Sequence, residues 1–296
     1  MNEQVANQAN RVVFTAAQAR QLRSGQPYIS HISFNDWTGG HPHLMHCHPD
    51  MMELLLLYKG SGRYSVGLHQ YEVAAGDVII CNGGELHDEF PDQGAVYQTI
   101  CMGVKELHLP GLPDYCVLPT DRVPVFRQSR QFQELAGLML MIERHAKEKR
   151  PCWQMLCQHL AEAVLELVGQ MIREAENAEV DAPNALCAAV EEYIYRHYTE
   201  DITIEQLGRR FAVSPYHLAH VFKENTGYTI KQSILRRRVG EAQNRLIFAQ
   251  DSIAAIAAQV GFADAGYFSR VFTKFVGLPP TEYRTYRRKQ EEGKEP

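Results

Sequence analysis

From Tyr28 to about Gln98 the apolar residues fall in short stretches separated by turn signals: Gly39-Gly40, Pro49-Asp50, Gly60-Ser61-Gly62, Ala75-Gly76-Asp77 and Asn82-Gly83-Gly84. Segments such as RYSVG, YEVA and DVIIC place β-branched and aromatic residues at strand length, so this part predicts many short strands in an antiparallel sandwich or barrel. After the Pro-rich stretch Pro110–Pro124 the period changes. Phe132, Leu135, Met139 and Ile142 recur at helical spacing, and from Cys152 to Glu174 so do Leu156, Leu160, Ala163, Leu167 and Met171. Two helices striped in this way either cover the sheet or pair two copies of the chain. The polar stretch 174–184 reads as a linker, and everything from Leu186 onward is helical in pattern.

That helical part repeats itself. TIEQLGRRFAVSPYHLAHVFKENTG (203–227) and SIAAIAAQVGFADAGYFSRVFTKFVG (252–277) align with apolar positions matched and one residue inserted in the second turn. Each copy is a short helix, a tight turn and a second helix. Thr203 with Gln206 is a capping box, Ser214-Pro215 starts a new helix, and Asp264 caps its counterpart. The buried stripes are Leu218, Val221 and Phe222 in one copy and Phe268, Val271, Phe272 and Phe275 in the other. The opposite faces carry Pro215, Tyr216, Ala219, His220 and Lys223, and Ala265, Ser269, Arg270 and Lys274. This is the helix-turn-helix plan, whose second helix reads base edges in the major groove. The segment from Thr229 to Phe248 would be a strut about 30 Å long at ~1.5 Å per residue, close to the ~34 Å between successive major-groove faces. Arg236, Arg237 and Arg238 on that strut are candidates for phosphate contact.

Charge adds a modest argument. The net charge is −5, but residues 1–183 carry 14 Lys+Arg against 22 Asp+Glu, and residues 184–296 carry 16 against 13. A basic second half suits a polyanion. At 45% hydrophobic and 22% charged over 296 residues, the composition is that of a globular protein of about two domains. The start, MNEQVANQAN, has no apolar run behind basic residues, and the apolar run at Leu54–Tyr58 is far short of the ~20 residues a membrane span needs. A cytoplasmic protein is therefore expected, with seven cysteines as free thiols.

IAAIAAQVGFADAGYFSRVFTKFVGLPPTEYR (253–284) resembles the signature of the AraC/XylS family of bacterial transcription regulators. Gly261, Phe262, Asp264, Tyr267, Phe268, Ser269, Arg270, Phe272, Lys274, Gly277, Pro280, Tyr283 and Arg284 carry the resemblance. Thr273, Pro279 and Gly266 depart from the pattern. The resemblance implies a double helix-turn-helix domain of seven helices at 186–288 that binds double-stranded operator half-sites. Base reading falls to Tyr216, Ala219, His220, Ser269 and Arg270. The partners it implies are a second copy of the chain, a small effector and, for an activator, RNA polymerase.

The candidate chemistry of the first half is HPHLMHCHPDMME (41–53). His46 and His48 share one side of a strand, Pro49-Asp50 lets Glu53 return beside them, and His87 lies on a later strand. His43 reads as a rim residue, and Cys47 points away from the histidines. Of the neighbours Arg63 and Tyr64, only one can line the cavity, and Tyr64 is the candidate. The spacing is similar to the cupin motifs: Gly40, His46, His48, Glu53 and Gly60 meet the first in full. Gly76, Gly84 and His87 meet the second, with Asn82 and Pro91 departing from it. The tetrad suits Zn, Fe, Mn or Ni with open positions, and it equally suits hydrogen bonding to an organic effector without metal. No P-loop, G-x-S-x-G or carboxylate pair argues for catalysis, so an enzyme is not expected; the alternative is a metallocupin oxygenase or isomerase fused to a DNA-binding domain.

The expected architecture is α+β. A cupin-like antiparallel barrel (1–125) senses an effector, and a helical pair (126–174) dimerises the chain. A linker (175–185) leads to the double helix-turn-helix domain (186–288) and a charged tail (289–296).

Overall fold

The computed structural model describes residues 11–14, 26–37, 45–92, 94, 96–119, 122–176 and 184–291. Gly40 and His43 lie outside them. Among the described residues nine strands come first: β1 (Arg11–Val13), β2 (Tyr28–Trp37), β3 (Met52–Lys59), β4 (Ser61–Val66), β5 (His69–Ala74), β6 (Val78–Cys81), β7 (His87–Pro91), β8 (Tyr97–Lys105) and β9 (Val125–Phe126). They form two antiparallel sheets, of order β1-β2-β8-β3-β6-β9 and β5-β4-β7. The expected barrel is thus two facing sheets rather than one closed ring, and β9 straddles the boundary expected at residue 125.

The larger sheet is covered on both faces, which is why its central strand reads MELLLLYK without alternation. Met52, Leu54 and Leu56, with Ile100 and Met102 of β8, face two helices, α1 (Phe132–Glu148) and α2 (Trp153–Glu176). Leu55 and Leu57, with Ile79 and Tyr97, face Tyr64, Val66 and Val73 of the smaller sheet. The inward stripe of α1 is as expected. That of α2 is so only in part: Met171 is buried and Leu160 and Leu167 pack half-buried on the core as expected, but Cys157, Ala161, Val164 and Val168 fill the inward face, whereas Leu156 is 40% exposed and Ala163 is exposed. The tight α1–α2 contact selects small side chains and turns the larger leucines outward or to the rim. Met141 of α1 and Met155 of α2 are exposed as well, so the helix pair covers the sheet and still presents apolar side chains to solvent.

Seven helices follow: α3 (Ala185–His197), α4 (Ile204–Arg210), α5 (Pro215–Thr226), α6 (Ile230–Phe248), α7 (Ile253–Gln259), α8 (Ala265–Val276) and α9 (Pro280–Glu291). Their ends are set locally. Thr203–Gln206 and Thr229–Gln232 are complete capping boxes. Ser214 and Asp264 cap α5 and α8, and Gly227 and Gly277 close them in the left-handed conformation. The strut α6 belongs to both cores. Ile230 and Ile234 pack with Leu218 and Phe222, while Val239, Ala242 and Leu246 pack with Phe268 and Phe272.

The strut is also seated on the sheets. Arg236, 1% exposed, donates from both terminal nitrogens to the two carboxylate oxygens of Asp88, each at 2.9 Å. Gln243 donates to the Met45 carbonyl, Cys47 Sγ lies 3.3 Å from Asn244 Oδ1, and Met45 N–H donates to the Phe275 carbonyl. Gly240 sits in mid-helix, where glycine costs about 1 kcal/mol relative to alanine. A methyl group there would come within 2.4 Å of Leu86, so close approach to the sheet domain explains it. None of the helices among the described residues is long and apolar enough to cross a membrane.

Replacing Arg236 by Met strands the buried Asp88 carboxylate. The expected loss is about 3–5 kcal/mol, read as a lower urea midpoint of the full chain. Asp88→Leu with Arg236→Met recovers most of it, because no charge then stays buried alone.

Candidate DNA-reading face and sensor site

The faces opposite the buried stripes of α5 and α8 are open. Tyr216 is 83% exposed, His220 and Lys223 are exposed, and Ala219 is half-buried between them. Pro215 occupies the first turn of α5 beside its Ser214 cap. Tyr216, Ala219, His220 and Lys223 line one groove together with Lys231 at the start of α6 and Tyr267 of α8. Reading the residues did not single out Lys231 or Tyr267 for this face. Lys231 had a signal available, a lysine one turn into the strut.

On α8, Arg270 is exposed, with its guanidinium 5.9 Å from the Tyr267 ring. Ala265 is half-buried, and Ser269 donates its hydroxyl to the Ala265 carbonyl. Lys274 is exposed but lies at the seam with the sheets, beside Met45, Arg63 and Phe90. The strut arginines are a correction. Arg236 is sealed against Asp88. Arg237 stacks its guanidinium on Tyr195 and Tyr198 at 4.4 and 5.0 Å, and Arg238 donates to the Tyr198 and Glu200 carbonyls. Spacing alone put these side chains on the outer face of the strut; the Asp88 carboxylate turns Arg236 inward, whereas Arg237 and Arg238 stay half-buried and Arg238 lines the groove beside Tyr216 and Lys223.

Within the sheets, His46, His48, Glu53 and His87 converge, with one donor atom from each within 4.8 Å of all the others. His46 pairs with His87 as an isolated antiparallel bridge, and strand alternation brings His48 to the same side. His87 Nε2 is 2.9 Å from Glu53 Oε2 and 3.1 Å from His46 Nε2; His48 Nε2 is 3.4 Å from Glu53 Oε1. His87 Nδ1 lies 3.0 Å from the Glu85 carbonyl, which only accepts. That assigns a hydrogen to Nδ1, so Nε2 either donates a second hydrogen to the Glu53 carboxylate or, once deprotonated, offers its lone pair to a bound cation.

Burial holds His48 well below the ordinary imidazole range, leaving it neutral as a ligand must be. Burial pushes Glu53 up, but His48 and the hydrogen bonds from His31 and His87 outweigh it and keep the carboxyl ionised. Burial pulls His87 down, and its bond to Glu53 reverses that. Tyr64 is buried, with its ring stacked parallel to His87 at 6.4 Å; Arg63 points outward. Burial also drives the Tyr64 phenol well above its usual value. The inner face holds further polar side chains that sequence reading missed: His31 and Asn35 of β2, and Thr99 and Cys101 of β8. Their signal was the alternation in HISFN (31–35), polar at every second residue.

Two sheets with a converging donor set, joined to two exposed recognition helices on one strut, define a sensor coupled to a DNA-binding unit. Sequence comparison agrees with both parts. An AraC-like ligand-binding domain matches residues 26–148 and a helix-turn-helix domain matches 207–286. The chain belongs to the AraC family of ligand-responsive, DNA-binding transcription regulators. Among its relatives, the uncharacterized HTH-type transcriptional regulator YdiP of Escherichia coli K12 is 24% identical over 268 residues, covering 87% of this chain and 86% of its own. The HTH-type transcriptional activator RhaR of Mannheimia succiniciproducens is 23% identical over 251 residues, covering 82% and 88%. Among solved structures, the DNA-binding domain of AdpA in complex with a target DNA is 25% identical, covers 37% of this chain and 98% of that one, and superposes with a TM-score of 0.35.

His69 on β5 meets Glu191 on α3 at 2.9 Å across the seam, with Tyr71 and the Asn225 backbone as its other neighbours. Burial pulls its pKa down, but the bond and charge of Glu191 outweigh this and raise it. The pair therefore contributes fully below the unfolded value of ~6.5 and is lost as pH rises through the raised folded value. Both partners are partly exposed, so the effect is about 1 kcal/mol or less. The stability difference between wild type and His69→Gln is expected to be present below the unfolded value of ~6.5 and to be lost as pH rises through the raised folded value, measured by urea denaturation at each pH.

Proposed function

We propose that the chain is a transcription activator that binds direct-repeat DNA half-sites as a dimer and senses a small effector between its two sheets. Pro215, Tyr216, Ala219, His220 and Lys223 would meet one major groove, and Ala265, Ser269 and Arg270 the next. The observation that carries this is the pair of capped, solvent-facing helices α5 and α8 hung on one strut. The relative named a transcriptional activator supports activation, with RNA polymerase as the implied partner. Met141, Met155 and Leu156 on the outer faces of α1 and α2 supply apolar surface for the second copy.

The effector site lies around His46, His48, Glu53 and His87, with Tyr64 against His87. The donor set fits a divalent Zn, Fe, Mn or Ni ion: three imidazoles and an ionised carboxylate bring one donor atom each within 4.8 Å of the others. Such a metal would give the pocket a Lewis-acidic centre for an oxygen-bearing effector. The route to DNA is short. Cys47 lies between two tetrad histidines and touches Asn244, while Leu86 and Asp88 flank His87 and touch Gly240 and Arg236. An effector that favours one placement of these strands shifts the strut by the difference in its affinities.

Arg270→Ala is expected to weaken binding to a DNA site selected from a random pool by about tenfold or more, and to relax preference at one base position. Unchanged affinity and preference would remove Arg270 from the interface. Elemental analysis of the purified chain beside His46→Ala/His48→Ala tests the metal. Metal bound by the wild type is expected to fall by about one ion per chain in the variant, and no metal in either sample would leave the pocket to an organic effector alone.

A further inference from the structure

The tetrad uses only part of the ionisable interior. On the inner face of the larger sheet, Gly103 of β8 is paired with His31 of β2 on one side and Glu53 of β3 on the other. Because the central residue has no side chain, the two flanking side chains reach over it and meet, His31 Nε2 lying 3.1 Å from Glu53 Oε1. A Cβ at position 103 would stand 2.5 Å from the His31 ring and 2.4 Å from Met51 Sδ, so the space is filled by the donors themselves. Two residues along β8, on the same face by strand alternation, Cys101 places Sγ 3.8 Å from His31 Nε2. One donor atom each from His31, Glu53 and Cys101 lies within 4.8 Å of the others, and all three residues are buried.

We propose that His31, Glu53 and Cys101 form a second cation site beside the tetrad, selective for a borderline or soft ion such as Zn²⁺. A thiolate, an imidazole and a carboxylate are the donors that favour such an ion over Mg²⁺ or Ca²⁺. With metal–donor bonds of ~2.0–2.3 Å, tetrahedral zinc requires donors roughly 3.3–3.6 Å apart. The separations of 3.1 and 3.8 Å bracket that range, so small side-chain movement completes the triad, with water or an effector oxygen as fourth ligand.

Glu53 borders both sites: Oε2 faces His87, and Oε1 lies 3.1 Å from His31 and 3.4 Å from His48. A carboxylate used in this way bridges two ions about 3.5–4 Å apart. Binding at the second site deprotonates Cys101 and releases one proton to solvent, while His31 binds as the neutral imidazole. The proposal rests on the tetrad reading only for the bridge, because His31 and Cys101 belong to this site alone.

The test uses the full-length protein, Zn²⁺ for stoichiometry and Co²⁺ for its thiolate-to-metal charge-transfer absorption. Wild type is expected to retain two Zn²⁺ per chain after desalting and to show the absorption with Co²⁺. Cys101→Ser should keep one ion and lose the absorption, and Cys81→Ser should keep both. His31→Gln, which leaves every thiol in place, should also keep only one ion, and it decides the matter if Cys101→Ser does not fold. One ion that is lost in His46→Ala/His48→Ala but kept in Cys101→Ser and His31→Gln overturns the second site and leaves the tetrad standing. A thiolate band in wild type that survives in His46→Ala/His48→Ala, with no ion assignable to the tetrad, keeps the second site and overturns the tetrad. No retained ion and no band in wild type overturns both.

Discussion

The arrangement of the molecule depends on one buried ion pair. Arg236 and Asp88 meet in a planar, two-pronged contact from which water is excluded. Taking two charges out of water is costly, and the pair recovers that cost only while the geometry holds. A guanidinium and a carboxylate joined by parallel hydrogen bonds tolerate little sliding. The strut is therefore held in register on β7, and the Tyr228 ring packed on the Arg236 guanidinium at 4.5 Å closes the site. Since α6 contributes to both helical cores, fixing it fixes both recognition helices relative to the sheets.

The seam and the sensor site are built on the same few residues. An extended chain turns successive side chains to opposite sides, so each residue that faces the tetrad has neighbours that face the strut. His46 and His48 enclose Cys47, and Leu86 and Asp88 enclose His87. Any ligand that draws the imidazoles together moves backbone that is in contact with α6. The Leu86–Gly240 contact leaves little slack, since not even a methyl group fits between them. The tetrad and the surface that seats α6 are the two sides of two short strand segments.

The same seam redistributes the positive charge of the second half. The three strut arginines are used within the protein, and Lys274 stands at the border with the sheets. The exposed polar side chains of this face gather on α5, the start of α6 and the first turns of α8, with Arg238 lining the same groove. Gly266 offers no side chain there and Ser269 is turned to its own helix, which leaves Tyr267 and Arg270 as the exposed larger side chains of those turns.

Sequence alone determined the features governed by short-range chemistry. Helix ends follow from Thr203, Ser214, Thr229, Asp264 and the closing glycines, because a cap satisfies backbone groups within three residues of itself. The double unit follows from its repeat, and the tetrad from strand alternation around a Pro-Asp turn. Tertiary structure decided whatever depends on which surface arrives opposite. Nothing near Arg236 in the chain announces a carboxylate 148 residues away. The inward stripe of α2 is set by how closely α1 approaches, which favours Cys157 and Ala161 over the more hydrophobic Leu156 and Leu160. His31 and Cys101 become neighbours of Glu53 only because β8 pairs between β2 and β3 with a glycine at the crossing. Local patterns specify elements and faces; long-range pairing, which carries no period along the chain, specifies which faces meet.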